Sequence, residues 1–485
     1  MKNNAIILFV IISLFLLALI TVPRDLLEAT DVPDYSDTAK FFAGEYKAKY
    51  RSSHSIMYGL MLSPYVKLTE SFFILKFASV FWLSLLILSI YYISNKDKRT
   101  LILFITAPFI WYMSPWLSPV PIVSLLFLWT YHFIAKFEKE EKIKYIIYAG
   151  VLAGLASVFW DAALYFSIIF LISFLYNKKF FFSWIFLLAL LIGLLPRLIV
   201  NQVLFNFAFF EILKNFLALS SFLFEGGIYE QGYSSPSLVP FLIVFTFIPF
   251  YFYSFYKKTS LIKYKKTMIF LTLSILFILL NPQIRVLLPI IPIIILILGR
   301  ELNAKRYKRQ LIIFSILSLL VILPYLVQAK YETNNRNFEV AIQEFPNFEL
   351  KYPTTKELIK SDLDEIAKEY PDQIFVVGNI NDAYIKLAHV YWGDDIKEFI
   401  SMEDYNLFLN NQETIAKKEI RTDAKINARR ELRIIIDWRK NSKDKTDYDS
   451  IRYAISIDKE LGLENFRFVK KYKTLYLFEK VYPSA

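Results

Sequence analysis

KYIIYAGVLAGLASVFWDAALYFSIIFLISFLY, residues 144–176, is the stretch on whose reading the fold turns. As one helix it would be about 50 Å long at 1.5 Å per residue, too long for a hydrocarbon core of roughly 30 Å even when tilted. As a hairpin it is two helices with Trp160-Asp161 at an outward tip. The Pro-rich SPWLSPVP (114–121) and the Asn281-Pro282 break read as further outer tips. The loops 95–99, 136–144, 177–179, 257–266 and 300–309 then share the side of the N-terminus. Together with the N-terminus they carry 20 Lys/Arg against 5 Asp/Glu, whereas the rest of the chain before residue 330 carries 10 against 11. Fusing any one pair would put every later basic loop on the wrong side, so the charge bias selects the hairpin.

Apolar runs give crossings at 4–22, 71–94, 101–113, 119–135, 144–160, 162–176, 180–203, 237–256, 267–281, 284–299 and 311–329, eleven in all. The chain of 485 residues is 56% hydrophobic and 18% aromatic, which rejects a wholly soluble protein. Its first segment has one lysine ahead of an apolar run longer than a signal-peptide core, and no small-x-small site follows. It reads as an uncleaved transmembrane helix. The net charge of +12 is accounted for by the inner loops and gives no reason to expect nucleic acid. With no cysteine and three histidines, thiol chemistry is excluded and a histidine metal cage is not expected.

The odd number of crossings sends residues 330–485 to the outer face, with the N-terminus cytoplasmic. The expected fold is therefore a polytopic α-helical membrane domain over 1–329, in the cell membrane, followed by a soluble extracytoplasmic α/β domain over 330–485. In that tail 357–370 has helical spacing, 372–379 reads as a buried strand and 383–392 as a helix. The stretch 433–438 and the final pair NFRFVKKY and TLYLFEKVY read as strands. The tail holds 26 basic against 28 acidic residues, so it offers no generally basic surface.

Two outer segments are long: the first outer loop, 23–70, and an aromatic-rich segment, 201–236. The first contains EATDVPDYSDTAKFFAGEY (28–46). Tyr35, Ala39, Phe42 and Tyr46 fall on one helical stripe, with Asp34 and Asp37 elsewhere around the helix, which suits a helix lying on the membrane surface. Asp31 followed by Pro33 and Asp34 is also an acceptable helix start, and spacing alone leaves capping and chemistry open for these carboxylates. Asp161 at the hairpin tip is open between holding an acceptor and capping the following helix.

Asp31-x3-Tyr35-x3-Ala39, with Gly44 and then Pro64, directly behind a first transmembrane helix, resembles the first outer loop of the GT-C membrane glycosyltransferases. Protein O-mannosyltransferases and the bacterial aminoarabinose transferase are the nearest types. Where those families carry Asp-Glu, the partner of Asp31 here is Val32. The segment 281–302, with Arg285-x3-Pro289-x2-Pro292, is similar to a late helix of such enzymes. The resemblance spans about residues 1–329.

It implies transfer of a sugar, hexose or mannose, from a polyprenyl-phosphate donor to a protein, lipid or glycan acceptor at the outer face, with inversion. Such a reaction needs a carboxylate to take the acceptor proton and cations to hold the phosphate, while a carboxylate near the sugar stabilises the oxocarbenium-like state. The base is assigned to Asp31, with Asp34 and Asp37 as substitutes or sugar ligands. Phosphate falls to Arg285 or Arg197, with Arg51 and His54 as helpers; for Arg285 snorkelling from a helix end is the competing reading. Asp161 and Tyr35 are assigned to acceptor or substrate. A monophosphate donor requires no metal cofactor for charge, although Asp34 and Asp37 offer a divalent cation two carboxylates.

Three other classes compete. An oligosaccharyltransferase should show an intact WWDxG motif, which Trp392-Gly393-Asp394-Asp395 does not match. A transporter or flippase should place ionisable groups near the bilayer midplane rather than at outer helix ends. A scaffold presenting the tail would tolerate loss of Asp31. In the tail, FVVGN carries a single Gly and is no dinucleotide fingerprint.

Overall fold

A computed structural model describes residues 2–21, 35, 38–39, 42–43, 56–68, 72–114, 117–175, 180–205, 207–209, 212, 265–280, 284–326, 340–345, 348–352, 357–371, 373–378, 398–402, 405–406, 450–456, 458–463, 465–473 and 475–481. The chain divides into two compact units. The first comprises Met1–Pro23, Leu75–Ala329 and Glu339–Pro353; the second comprises Arg24–Ile74, Lys330–Phe338 and Thr354–Ala485.

The helices before the tail are α1 (Lys2–Thr21), α2 (Ile56–Leu68), α3 (Phe72–Ile93), α4 (Lys98–Thr106), α5 (Pro108–Met113) and α6 (Val120–Glu140). They continue as α7 (Ile143–Phe159), α8 (Ala162–Leu175), α9 (Phe180–Phe205), α10 (Lys265–Leu280), α11 (Ile291–Glu301) and α12 (Ala304–Leu326). Every expected crossing but 237–256, which lies outside the described residues, coincides with a helix or a pair of short ones. The 144–176 stretch is the expected hairpin, turning at Trp160-Asp161 between α7 and α8.

Two crossings are not continuous α-helices. The 101–113 run breaks at Ala107, whose ψ of 140° is extended. The following Pro108 disfavours the α region for Ala107 and supplies no N–H. The Thr106 carbonyl near the break instead accepts the Ser318 hydroxyl of α12 at 2.7 Å. The 284–299 run starts as a 3₁₀ segment, Ile284–Ile290, before α11. Pro289 and Pro292 each remove a donor from the i→i−4 ladder there. Leu287 through Gly299 is buried throughout, so this segment is the apolar centre of the first unit, packed by α4, α6 and α10.

Other helices turn apolar stripes outward. Phe181, Trp184, Leu188, Leu191, Ile192, Leu195 and Ile199 recur at helical spacing along one exposed side of α9, and Ile312, Ile316 and Leu319 do so on α12. Such long exposed apolar faces require lipid rather than water. Among the described helices, Val120–Glu140 and Phe180–Val203 are long and apolar enough to cross a membrane.

Its tightest helix crossing is α7 on α9. Gly150 on α7 meets Ala189 on α9, and Gly154 meets Gly193 so closely that an added Cβ at Gly154 would lie 2.2 Å from the Leu190 carbonyl oxygen. A Cβ at Gly193 would lie 2.2 Å from the Val151 oxygen. Small residues four apart allow this backbone approach in lipid, where packing rather than the hydrophobic effect holds helices together.

Basic loops expected on one side do meet. The Arg99 guanidinium donates to the Leu302 carbonyl at 2.8 Å, Arg300 donates to that of Ile93 at 2.7 Å, and the Tyr307 hydroxyl donates to that of Arg99. These contacts join 95–99 to 300–309. Lys266 pairs with Glu138, joining α10 to the end of α6. Asp97 caps α4, its carboxylate accepting the Arg99 and Thr100 amides and the Thr100 hydroxyl.

In the second unit, Tyr35, Thr38, Ala39, Phe42 and Ala43 are helical, in keeping with the expected periodicity. Tyr35 meets Tyr58 of α2 edge-on at 4.9 Å, and Thr38 sits where a side chain on Gly59 would be. Tyr35 of the stripe is thus seated on a second helix. Tyr46 lies outside the described residues.

In the tail, β1 (Val340–Phe345) and β2 (Phe348–Tyr352) form an antiparallel pair. The helix α13 (Glu357–Glu369) covers one face of a five-stranded sheet ordered β4-β3-β5-β7-β6. Its strands are β3 (Ile374–Gly378), β4 (Glu398–Ser401), β5 (Tyr453–Ser456), β6 (Phe466–Lys471) and β7 (Tyr476–Lys480). β4 and β5 are parallel to β3, whereas β7 is antiparallel to both β5 and β6. Phe375, Val377, Ile455 and Leu477 face α13, and Ile374, Val376, Ala454 and Phe478 face the other way. The expected helix at 357–370, the strand at 372–379 and the final strand pair are found. The expected helix at 383–392 and strand at 433–438 lie outside the described residues.

Candidate functional site

The first unit buries one guanidinium almost completely. Arg197 of α9 is 1% exposed, and two groups from the α7–α8 hairpin hold it. Its Nη1 donates to the Ser157 carbonyl at 2.8 Å, and its Nη2 pairs with Asp161 Oδ1.

The local reasons are simple. α7 ends at Phe159, so the carbonyls of its last turn lack the amides of a continuing helix, and an arginine suits both those oxygens and the negative end of the helix dipole. The Gly154–Gly193 contact brings the two backbones together, and Arg197 lies one turn beyond it on α9. Asp161 sits at the tip, where its backbone oxygen accepts from Leu164 at 3.1 Å while its carboxylate faces Arg197. The Asp161 side chain is 21% exposed, so the pair is sealed on the arginine side and open on the acid side.

Polar groups continue around it. The Ser157 and Ser167 hydroxyls lie 3.2 Å apart, and both hydrogen-bond to the Ala153 carbonyl. One turn beyond Arg197, buried Asn201 donates its Nδ2 to the Ala208 carbonyl at 3.2 Å. This polar cluster lies at the end of α7 and α9 away from the basic loops, where the outer face was expected.

Of the residues singled out from sequence, the structure brings Arg197 and Asp161 together, whereas the sequence reading assigns them separate partners, phosphate and acceptor. Tyr35 is 3% exposed and packs on Tyr58. Arg285 lies in the 3₁₀ segment at the entrance to α11, with its side chain outside the described residues. Asp31, Asp34, Asp37, Arg51 and His54 also lie outside them. Among the described residues no group of three His, Asp or Glu side chains is arranged to hold a metal ion. Ser157 and Asn201 were not anticipated: Ser157 acts through its backbone, and nothing local distinguishes Asn201.

No family model and no curated protein matches this sequence. Among solved structures, however, the whole chain has a counterpart. Its fold is similar to that of ArnT. The crystal structure of ArnT from Cupriavidus metallidurans bound to undecaprenyl phosphate superposes with a TM-score of 0.58, covering 99% of this chain and 98% of that chain. At 10% sequence identity the likeness to ArnT is one of fold. It covers the tail beyond residue 329 as well as the residues before it.

Proposed function

We propose that this chain is a membrane glycosyltransferase that uses a polyprenyl-phosphate sugar. The observation that carries this reading is the end-to-end fold likeness to ArnT, a protein solved with undecaprenyl phosphate. The sugar is a hexose, mannose being the leading candidate, and it passes with inversion to a hydroxyl of a protein, lipid or glycan acceptor. On this reading the N-terminus is cytoplasmic and the tail lies outside.

Asp31 takes the acceptor proton as the hydroxyl attacks the anomeric carbon and the bond to the lipid phosphate breaks, leaving that phosphate with the electron pair. Asp34 and Asp37 ligate sugar hydroxyls or substitute for Asp31, and no metal is required. Because Arg197 already faces a carboxylate and a carbonyl, the phosphate goes first to Arg285, with Arg51 and His54 assisting. Arg197 then holds Asp161, whose open side orients the acceptor, and Tyr35 supports the loop helix behind the base.

The test is transfer from a panel of labelled polyprenyl-phosphate sugars in purified membranes, comparing wild type with Asp31→Asn and Arg285→Ala. At least one donor should be turned over by wild type and by neither variant. Absence of transfer from every donor, with unchanged glycans in a deletion strain, would overturn the proposal.

A further inference from the structure

In the described part of Thr354–Ala485, every large apolar side chain that is exposed lies in the β6–β7 hairpin or at its end: Phe468 at 50%, Val469 at 41% and Val481 at 43%. The pairing explains why two of them stand side by side. Phe468 faces Phe478 while Lys470 faces Leu477, so Val469 is the extra residue of a β-bulge. A bulge breaks the strict alternation of a strand, which leaves Phe468 and Val469 both exposed on an edge strand.

The charge around them departs from that of the rest of the tail. Residues 465–481 carry five Lys/Arg against one Asp/Glu, in a tail that holds 26 against 28. Lys470 is paired to Glu369 at 2.5 Å and Arg467 to Glu479 at 3.3 Å, and Lys471 and Lys473 are exposed beside the apolar pair. Bulges and lysines are devices that block addition of another strand to a sheet edge. A partner that must match hydrogen-bond register is therefore disfavoured, whereas a surface without register is not. The tail also follows α12 in one chain, and α12 presents its apolar Ile312, Ile316 and Leu319 to lipid, so a bilayer is always within tether range.

We propose that the β6–β7 hairpin docks on an anionic lipid surface, with Phe468 and Val469 entering the headgroup layer and Lys471 and Lys473 meeting lipid phosphates. Apolar insertion and basic attraction act together in such contacts. This surface is independent of the donor chemistry above.

Because the chain has no cysteine, a single introduced one takes a nitroxide label at one site only. Full-length Phe468→Cys, with Lys459→Cys in the exposed loop after β5 as reference, is placed as a single chain in nanodiscs of equal phosphatidylcholine and phosphatidylglycerol. The 468 label should relax severalfold more with oxygen and severalfold less with an aqueous nickel chelate than the 459 label. The difference should collapse in discs of phosphatidylcholine alone, and in the Lys471→Glu, Lys473→Glu background with circular dichroism unchanged. Equal aqueous access at 468 and 459 in the anionic discs overturns the proposal, as does protection that survives charge reversal. Protection in detergent that grows with protein concentration assigns the surface to a second copy of the chain and overturns it too.

Discussion

Replacing Gly154 by alanine sets two known effects against each other, and the structure decides the sign. In a helix interior alanine is favoured over glycine by about 1 kcal/mol. Here the new Cβ would lie 2.2 Å from the Leu190 oxygen and 2.9 Å from Gly193 Cα, both backbone atoms of α9 that no rotamer change can move. Ordinary carbon–oxygen contacts begin near 3.3 Å, so α7 and α9 must separate by about 1 Å along their closest approach. A gap of that size forfeits roughly a quarter to a half of each dispersion contact across the crossing, and overpacking of this kind costs about 1–3 kcal/mol or more. Because the clash is against backbone on both helices its cost falls in the upper part of that range and outweighs the propensity gain, leaving a net loss of up to about 2 kcal/mol. Unfolding entropy of about 2.1 cal/mol/K per residue makes each kcal/mol worth about 1 °C in a chain this long, so thermal unfolding of detergent-purified protein should show a midpoint lowered by about 1–2 °C. Gly193→Ala, whose Cβ meets the Val151 oxygen, should behave alike, and the double variant should lose less than the sum because one separation relieves both clashes. A midpoint that rises in Gly154→Ala would refute the close crossing and, with it, the placement of Arg197 beside Ser157.

Three further outcomes follow from single contacts. Arg197→Met and Asp161→Asn should each destabilise the protein, toward the lower end of the about 3–5 kcal/mol for breaking a buried pair because Asp161 is partly open; additive losses in the double variant would show the two are uncoupled. Asp97→Ala should cost about 1 kcal/mol at neutral pH by uncapping α4. Burial raises the Asp97 carboxyl, but hydrogen bonds from Thr100 and the Arg99 amide and the Arg99 charge together hold it below its ordinary value of 3.8. The cap is therefore fully effective above that value and fades as pH falls through the lowered one, so the gap between wild type and variant should close in acid; a pH-independent gap would assign the loss elsewhere. Asp362→Ala should leave the buried Leu475 amide without the carboxylate that accepts it at 3.0 Å, at a cost of about 1–3 kcal/mol. Hydrogen exchange at Leu475 should then accelerate, and unchanged protection would remove that role.

The features legible in the sequence were those encoded along one dimension. Apolar run length and the side of the basic loops placed α1, α3 and α6 through α10 within about five residues, because lipid imposes both rules locally on each segment, whereas α12 starts seven residues before its expected crossing because its first turns are basic. Breaks at Ala107 and at Pro289 were written in the prolines, but their tolerance depends on neighbours such as Ser318, which lies far away in sequence. The α2 helix went unseen inside the first outer loop because Pro64 interrupts it and its partner, the Tyr35 face, already had an alternative in the membrane surface. The Arg197–Asp161 pair shows the same limit at the candidate site. Each residue stood out alone as a charge at an outer helix end, yet a partner 36 residues away is visible only once two helices are known to touch. The Gly150-x3-Gly154 spacing carried that information: small residues four apart mark a face for close approach, and Gly193 on α9 is a small residue able to answer it. Once those glycines are opposed, Arg197 falls one turn past the contact on α9 and Asp161 just beyond the end of α7, so the ion pair follows from the packing. A larger side chain at Gly154 or Gly193 therefore disturbs the geometry of Arg197 as well as the helix packing.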